Sequence, residues 1–129
     1  MYEIEFILKD TAKLPVRDSE SVAINLFANI QQDTGYITIQ PGLTSYIDTG
    51  IIAKIASSYI GLIINSNKYV DNGLLLNNPT TIITSANRDF IEIKLRNNGV
   101  NPYTIFHGEQ IAQLLILQSF LPIIKQAQH

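Results

Sequence analysis

The chain has 129 residues, 46% of them hydrophobic and 16% charged, a balance that excludes an intrinsically disordered protein. The net charge is −2 and the basic residues are dispersed, which excludes a basic nucleic-acid-binding surface. The absence of cysteine excludes disulfides, thiolate nucleophiles and thiolate metal sites.

Short apolar segments follow one another along the chain, and the clearest of them alternate with a period of two. In residues 90–96, Ile91, Ile93 and Leu95 alternate with charged residues, which predicts a strand with one buried face. The predicted strand segments, in order, are residues 36–40, 46–47, 51–55, 59–64, 74–76, 82–83, 90–96, 103–106 and 111–117.

Turn-forming residues separate these segments. They are Pro41-Gly42, Thr49-Gly50, Asn72-Gly73, Asn78-Pro79, residues 97–99, Asn101-Pro102 and His107-Gly108. Each offers a positive or a fixed φ where the chain reverses. Many short strands at this spacing predict an all-β sandwich or barrel. We expect a single domain over residues 1–129, since no linker or internal repeat is visible.

Few side chains of catalytic type are neighbours in the sequence. The pairs at 71–72, 88–89 and 109–110 combine charged and polar residues, and we expect all three in solvated loops. His107 precedes a glycine and is expected in a turn. With only two histidines, a histidine-ligated metal site is not expected.

The order of several short segments resembles the trimeric all-β dUTPase family over nearly the whole chain. The strongest match is Gly108 to Leu114, which is similar to the family's fourth motif except for Gln110 in place of arginine. The other matching segments are residues 14–17, 21–26, 39–42, 49–51 and 59–61. The resemblance implies a distorted, jelly-roll-like β-barrel that forms a homotrimer.

The resemblance also shows where this sequence departs from the family. The first-motif aspartate corresponds to Asn25, and the second-motif Arg-Ser-Gly to residues 65–67, of which Ser66 is retained. The third-motif aspartate, which activates water in the family, corresponds to Thr84. The third-motif tyrosine, which packs on deoxyribose, corresponds to Asn87. The Gly-rich C-terminal arm of the family has no counterpart in residues 121–129.

The resemblance therefore implies a vestigial nucleotide pocket and no catalytic residue. Its predicted members are Asn25, Ser66, Asn78, Thr84, Asn87 and Gln113. No resident metal and no cofactor is expected, except magnesium if nucleotide binding is retained. Loss of a general base typically costs about 10²–10⁴ in rate, so we expect an inactive dUTPase homologue rather than an enzyme.

The function favoured by these departures is that of a non-catalytic structural or interaction protein. The expected partners are two further copies of the chain, an unidentified protein and a deoxynucleotide held by residual binding, but no nucleic acid and no membrane. A viral origin is predicted, because disabled members of the family occur chiefly among viruses. The N-terminus lacks a secretory signal, so we expect a place in the host cytoplasm or nucleus, or in a virion.

An alternative stays open. The chain can be a nucleotide-binding protein, or a relative of the dUTPases and dCTP deaminases with altered chemistry, acting on deoxyuridine or deoxycytidine nucleotides. The carboxylates nearest to the third motif are Asp89 and Glu92. Whether either of them points into the cleft between subunits separates the two possibilities.

Overall fold

The computed structural model describes residues 2–31, 34–70, 72–77 and 81–129. Within these ranges, each of the nine predicted strand segments coincides with a strand, and the all-β fold is confirmed. The elements are β1 (Glu5–Leu8), β2 (Val16–Arg17), β3 (Ile24–Phe27), β4 (Tyr36–Ile39), β5 (Thr44–Asp48), β6 (Ile51–Lys54), β7 (Tyr59–Asn65), α1 (Asn67–Val70), β8 (Leu74–Leu76), β9 (Thr81–Ile83), β10 (Glu92–Asn97), β11 (Tyr103–Phe106) and β12 (Gln110–Gln118).

The largest sheet has five strands in the order β2-β3-β12-β7-β9, with the long strand β12 at its centre. A three-stranded sheet has the order β5-β10-β8, and the pairs β1-β6 and β11-β4 complete the barrel. All pairs found among the described residues are antiparallel. Strands distant in sequence are thus neighbours in space, as in jelly-roll folds.

The core forms from the inward faces of these strands. Ile91, Ile93 and Leu95 are each at most 6% exposed, so the predicted alternation of β10 is confirmed. Ile111 and Leu114 of β12 are fully buried in the same core. Each such side chain contributes roughly 1.5–3 kcal/mol to the free energy of unfolding through burial.

Asn97 is a fully buried polar residue at the end of β10. Its Nδ2 donates hydrogen bonds to the carbonyl oxygens of Ile39 and Asn101, at 2.9 and 2.8 Å. Its Oδ1 accepts a hydrogen bond from the Gly99 amide at 2.9 Å. One side chain therefore holds β10, β4 and the turn after β10 together.

The turn between β5 and β6 needs glycine. Gly50 has a φ of +68°, and a Cβ atom there would lie 2.7 Å from Cβ of Ala12. The Gly50 amide also donates to Oδ1 of Asp48 at 2.9 Å. The predicted Thr49-Gly50 reversal is therefore confirmed, and it is fixed by both backbone conformation and space.

Residues 119–129 follow β12 without forming a strand or helix. Phe120, Leu121, Ile123 and Ile124 in this C-terminal segment are 85–94% exposed. In the described ranges, no helix has the length and apolar character needed to cross a bilayer. In a single copy of the chain, these four apolar side chains of the C-terminal segment are therefore exposed to water.

Candidate functional site

Two of the predicted pocket residues meet across neighbouring strands. Asn25 on β3 and Gln113 on β12 are register partners. Nε2 of Gln113 donates a hydrogen bond to Oδ1 of Asn25 at 3.1 Å, and Asn25 is only 7% exposed. The position of the first-motif aspartate thus holds a buried, neutral amide, and that amide already accepts a hydrogen bond from Gln113.

Ser66 lies close to this pair, directly after β7. It is 2% exposed, and its Oγ accepts a hydrogen bond from Nε2 of Gln110 at 3.3 Å. We call Asn25, Ser66, Gln110 and Gln113 the polar cluster. Gln110 was not among the predicted pocket residues, although it was recognised as the one departure within the fourth motif.

Asn65, where the resemblance expects the phosphate-binding arginine, has a structural role. Its Oδ1 accepts a hydrogen bond from the Leu76 amide at 2.7 Å and so ties the end of β7 to β8. The side chain is used within the fold, and the polar cluster receives no positive charge from this position.

A charged group borders the polar cluster. The Glu109 carboxylate accepts hydrogen bonds from the Tyr69 hydroxyl and from the Phe106 amide, the latter at 3.1 Å. Lys68 Nζ lies 3.2 Å from Oε2 of the same carboxylate. The expectation that residues 109–110 form a solvated loop is therefore wrong: the Glu109 side chain is only 13% exposed, because α1 packs Tyr69 against it.

Burial perturbs the two tyrosines of this group. The Tyr69 side chain is almost fully buried and edge-on to Tyr103. Burial first, and then the hydrogen bond to the Glu109 carboxylate, raise the pKa of Tyr69 well above its usual range. The pKa of Tyr103 is raised for the same reasons, burial again being the larger. The Tyr69 hydroxyl is therefore a permanent hydrogen-bond donor to Glu109 near neutral pH.

The other predicted pocket residues lie in the turn after β9. Thr84 and Asn87 line a groove of about 400 Å³, and Asp89 and Glu92 line the same groove. Thr84 Oγ1 accepts a hydrogen bond from the Ala86 amide at 3.3 Å. Asn78, the sixth predicted pocket residue, lies outside the described residues. The Thr84 groove, as we name it, therefore contains carboxylates although position 84 has none.

The polar cluster and the Thr84 groove are far apart within one chain. Ile83 pairs with Gly61 near the start of β7, whereas Ser66 follows its end. Five residues of strand span roughly 17 Å at about 3.3 Å per residue. The two groups of predicted pocket residues therefore cannot both contact one phosphate group in a single copy.

No cluster of metal-ligating side chains is found in the part of the chain that the structure describes: no group of three or more His, Asp or Glu side chains there is placed to hold a metal. Asn25, at the family's acidic position, offers only an amide oxygen that already accepts from Gln113. Magnesium usually binds to one or two carboxylates together with substrate phosphates, and the polar cluster supplies no such carboxylate.

The described residues thus form an antiparallel β-barrel that carries a polar cluster at one strand end and a groove beside another strand. The dUTPase family model matches residues 14–128, nearly the whole chain, and the chain belongs to the dUTPase family.

Relatives from bacteria match most of the chain. The chain is 34% identical to the deoxyuridine 5'-triphosphate nucleotidohydrolase of Caldanaerobacter subterraneus over 113 residues, which cover 86% of this chain and 74% of the relative. It is 29% identical to the enzyme of that name from Desulfitobacterium hafniense over 123 residues, covering 92% and 80%.

Solved structures share the fold. The dUTPase of phage phi11 of Staphylococcus aureus superposes with a TM-score of 0.86 at 17% identity, covering 99% of this chain and 97% of that one. Phage and bacterial proteins both resemble the chain, so a viral origin stays a prediction.

The prediction of an inactive homologue is wrong. Relatives that are 29% and 34% identical over most of the chain are named as dUTP nucleotidohydrolases, which points to an enzyme. The error came from judging Thr84 and Asn87 by position alone. Asp89 and Glu92 line the same groove, so the loss of one carboxylate does not leave the groove without any.

Proposed function

We propose that the chain is a nucleotidohydrolase that cleaves dUTP to dUMP and pyrophosphate, and that it acts as a homotrimer. The observation that carries this proposal is that one chain contains two incomplete sites that lie far apart, the polar cluster and the Thr84 groove. A complete site then forms where the polar cluster of one copy faces the Thr84 groove of another. Membership of the dUTPase family supports both the substrate and the assembly.

The polar cluster has the chemistry to receive the phosphate chain. The Ser66 hydroxyl and the Gln110 and Gln113 amides can donate hydrogen bonds; Gln110 donates to Ser66, and Gln113 donates to Asn25. Hydrogen bonds to an ionised phosphate are roughly twice as strong as those between neutral groups. Exchanging these internal bonds for bonds to phosphate is therefore favourable.

The Thr84 groove has to supply the base. Hydrolysis requires a water molecule to attack the α-phosphorus while a side chain takes its proton. A threonine hydroxyl keeps its own proton at pH 7 and cannot do this. Asp89 and Glu92 are the carboxylates among the residues lining the groove, and we assign the proton transfer to one of them.

Magnesium in this proposal is a partner of the substrate. Magnesium carried in with dUTP would offset phosphate charge and so favour the departure of pyrophosphate. The side chains of the polar cluster orient the phosphate chain, and the groove residues position the water.

An assay of pyrophosphate release from dUTP in the presence of magnesium tests the proposal. We expect wild-type release above the buffer blank, and a loss of about 10²–10⁴ in rate for either Asp89→Asn or Glu92→Gln, whichever removes the base. Wild-type protein that releases nothing would refute hydrolysis. Full activity of both variants would refute the assignment of the base.

Two parallel measurements complete the test. Assaying dCTP for ammonia release distinguishes hydrolysis from the deaminase alternative, which predicts ammonia and no pyrophosphate. Sedimentation of the wild-type protein at micromolar concentration should return three times the mass of the chain, and a monomer would contradict the composite site. Binding to an unidentified protein stays a separate prediction.

A further inference from the structure

The most informative unassigned group is the ion pair beside the polar cluster. Lys68 Nζ lies 3.2 Å from Glu109 Oε2, and Glu109 directly precedes Gln110, whose side chain contacts Ser66. The Lys68 side chain is 48% exposed while that of Glu109 is 13% exposed. A half-exposed positive charge therefore lies two residues after Ser66 and beside the carboxylate that precedes Gln110.

Glu109 does not depend on Lys68 for its partners. The Tyr69 hydroxyl and the Phe106 amide both donate to the Glu109 carboxylate. If Lys68 turns toward another anion, Glu109 keeps two hydrogen bonds. A buried carboxylate left without partners would be costly, and these two bonds remove that cost.

The charge of a triphosphate makes such an exchange favourable. The polar cluster contributes neutral donors only, and Asn65 uses its side-chain oxygen to hold the Leu76 amide. Lys68 follows Ser66 by two residues, at the start of α1. We propose that Lys68 binds the phosphate chain of the nucleotide at the polar cluster and supplies the cation that Asn65 does not. A lysine ammonium can do this because it binds phosphate as a mobile point charge.

This assignment rests on the proposed function and makes a prediction that depends on the number of phosphates. Lys68→Met removes the charge and keeps most of the aliphatic chain, whereas Lys68→Arg retains the charge. Lys54→Met, at an exposed position of β6, is the matched control because it removes the same charge by the same substitution. The ligands are a non-hydrolysable imido analogue of dUTP and dUMP, titrated calorimetrically into the whole protein with magnesium.

We expect Lys68→Met to weaken binding of the triphosphate analogue by about 10- to 100-fold, as for loss of a hydrogen bond to a charged group. Binding of dUMP should weaken several-fold less, Lys68→Arg should restore most of the affinity, and Lys54→Met should match the wild type. An equal loss for both ligands, or no loss, would overturn the role of Lys68. Wild-type protein that binds neither ligand would instead overturn the proposed function, and this assignment with it.

Discussion

Replacing Thr84 with aspartate restores the carboxylate of the family's third motif, and the local structure permits this substitution. Thr84 is exposed, and its one side-chain hydrogen bond in the described residues is accepted from the Ala86 amide at 3.3 Å. An aspartate makes the same bond to the amide two residues on. We therefore expect the free energy of unfolding to change by no more than about 0.5 kcal/mol, as at other exposed positions.

The expected effect is on catalysis. In the proposed mechanism the wild-type base is Asp89 or Glu92, which line the same groove at other positions. A carboxylate at position 84 adds a base where the family has one, and a positioned base accelerates proton transfer by about 10²–10⁴ relative to a site without a base. That range corresponds to about 2.7–5.4 kcal/mol of activation free energy. Because the wild-type protein already has a base in this mechanism, we expect kcat of Thr84→Asp to rise by less than that range.

The assay is pyrophosphate release at saturating dUTP and magnesium, with Thr84→Asn as the matched control. Asparagine has the shape of aspartate and makes the same turn hydrogen bond, but it cannot accept the proton. Thr84→Asp should exceed both the wild type and Thr84→Asn. If the two variants have equal kcat while both remain folded and bind the imido analogue, then Thr84 does not face the reacting phosphate and the composite site is wrong.

Three further predictions concern stability and assembly. Asn97→Leu removes the three hydrogen bonds made by a fully buried side chain and should lower the free energy of unfolding in urea by about 3–9 kcal/mol, at about 1–3 kcal/mol for each group left unpaired; a loss below 1 kcal/mol would contradict this. Because the pKa of Tyr69 is raised above its usual value of 10.0, the folded protein keeps a proton that the unfolded chain releases. The contribution of Tyr69 to the free energy of unfolding is complete below about pH 10 and falls above that pH. Tyr69→Phe should therefore reduce the slope with which the free energy of unfolding falls between pH 10 and 11. An unchanged slope would contradict the raised pKa of Tyr69. The double variant Leu121→Glu/Ile123→Glu should leave the circular dichroism unchanged and shift sedimentation from trimer toward monomer, whereas an intact trimer would place the C-terminal segment outside the interface.

The strands that the sequence predicted share one physical property. A strand such as β10 has one buried and one solvated face, so its residues alternate in polarity. Strand β1 was missed because Ile7 is 49% exposed and the segment pairs only with β6. Strand β2 is two residues long and both are exposed, so it carries no pattern. Strand β3 was also missed: it is largely buried, but the buried amide of Asn25 interrupts its apolar run. Hydrophobic periodicity reports the burial of apolar side chains, and it fails where backbone pairing alone makes the strand or where a buried polar residue interrupts the pattern.

The site was only partly predictable. Matching Asn25 and Gln113 to family motifs located two residues that do hydrogen-bond to each other. The contact of Lys68 with Glu109 joins residues 41 positions apart and depends on the packing of α1 against the start of β12. No local pattern encodes such a contact, and a charged residue beside a glutamine is more often solvated. The three-dimensional structure was needed to show that Glu109 is a largely buried residue that contacts Lys68 and Tyr69.

The position of the cation shows why comparing motifs one residue at a time misleads. An arginine could not replace Asn65 without freeing the Leu76 amide, since Asn65 Oδ1 is the acceptor that ties β7 to β8. A positive charge for the phosphate chain must therefore come from a neighbouring position, and its side chain must be able to leave its present partner. Lys68 meets the condition because Glu109 is held by Tyr69 and Phe106 independently of it. A phosphate site can therefore lose the family's arginine and retain a cation, provided that the carboxylate paired with that cation, here Glu109, has other hydrogen-bond donors in the fold.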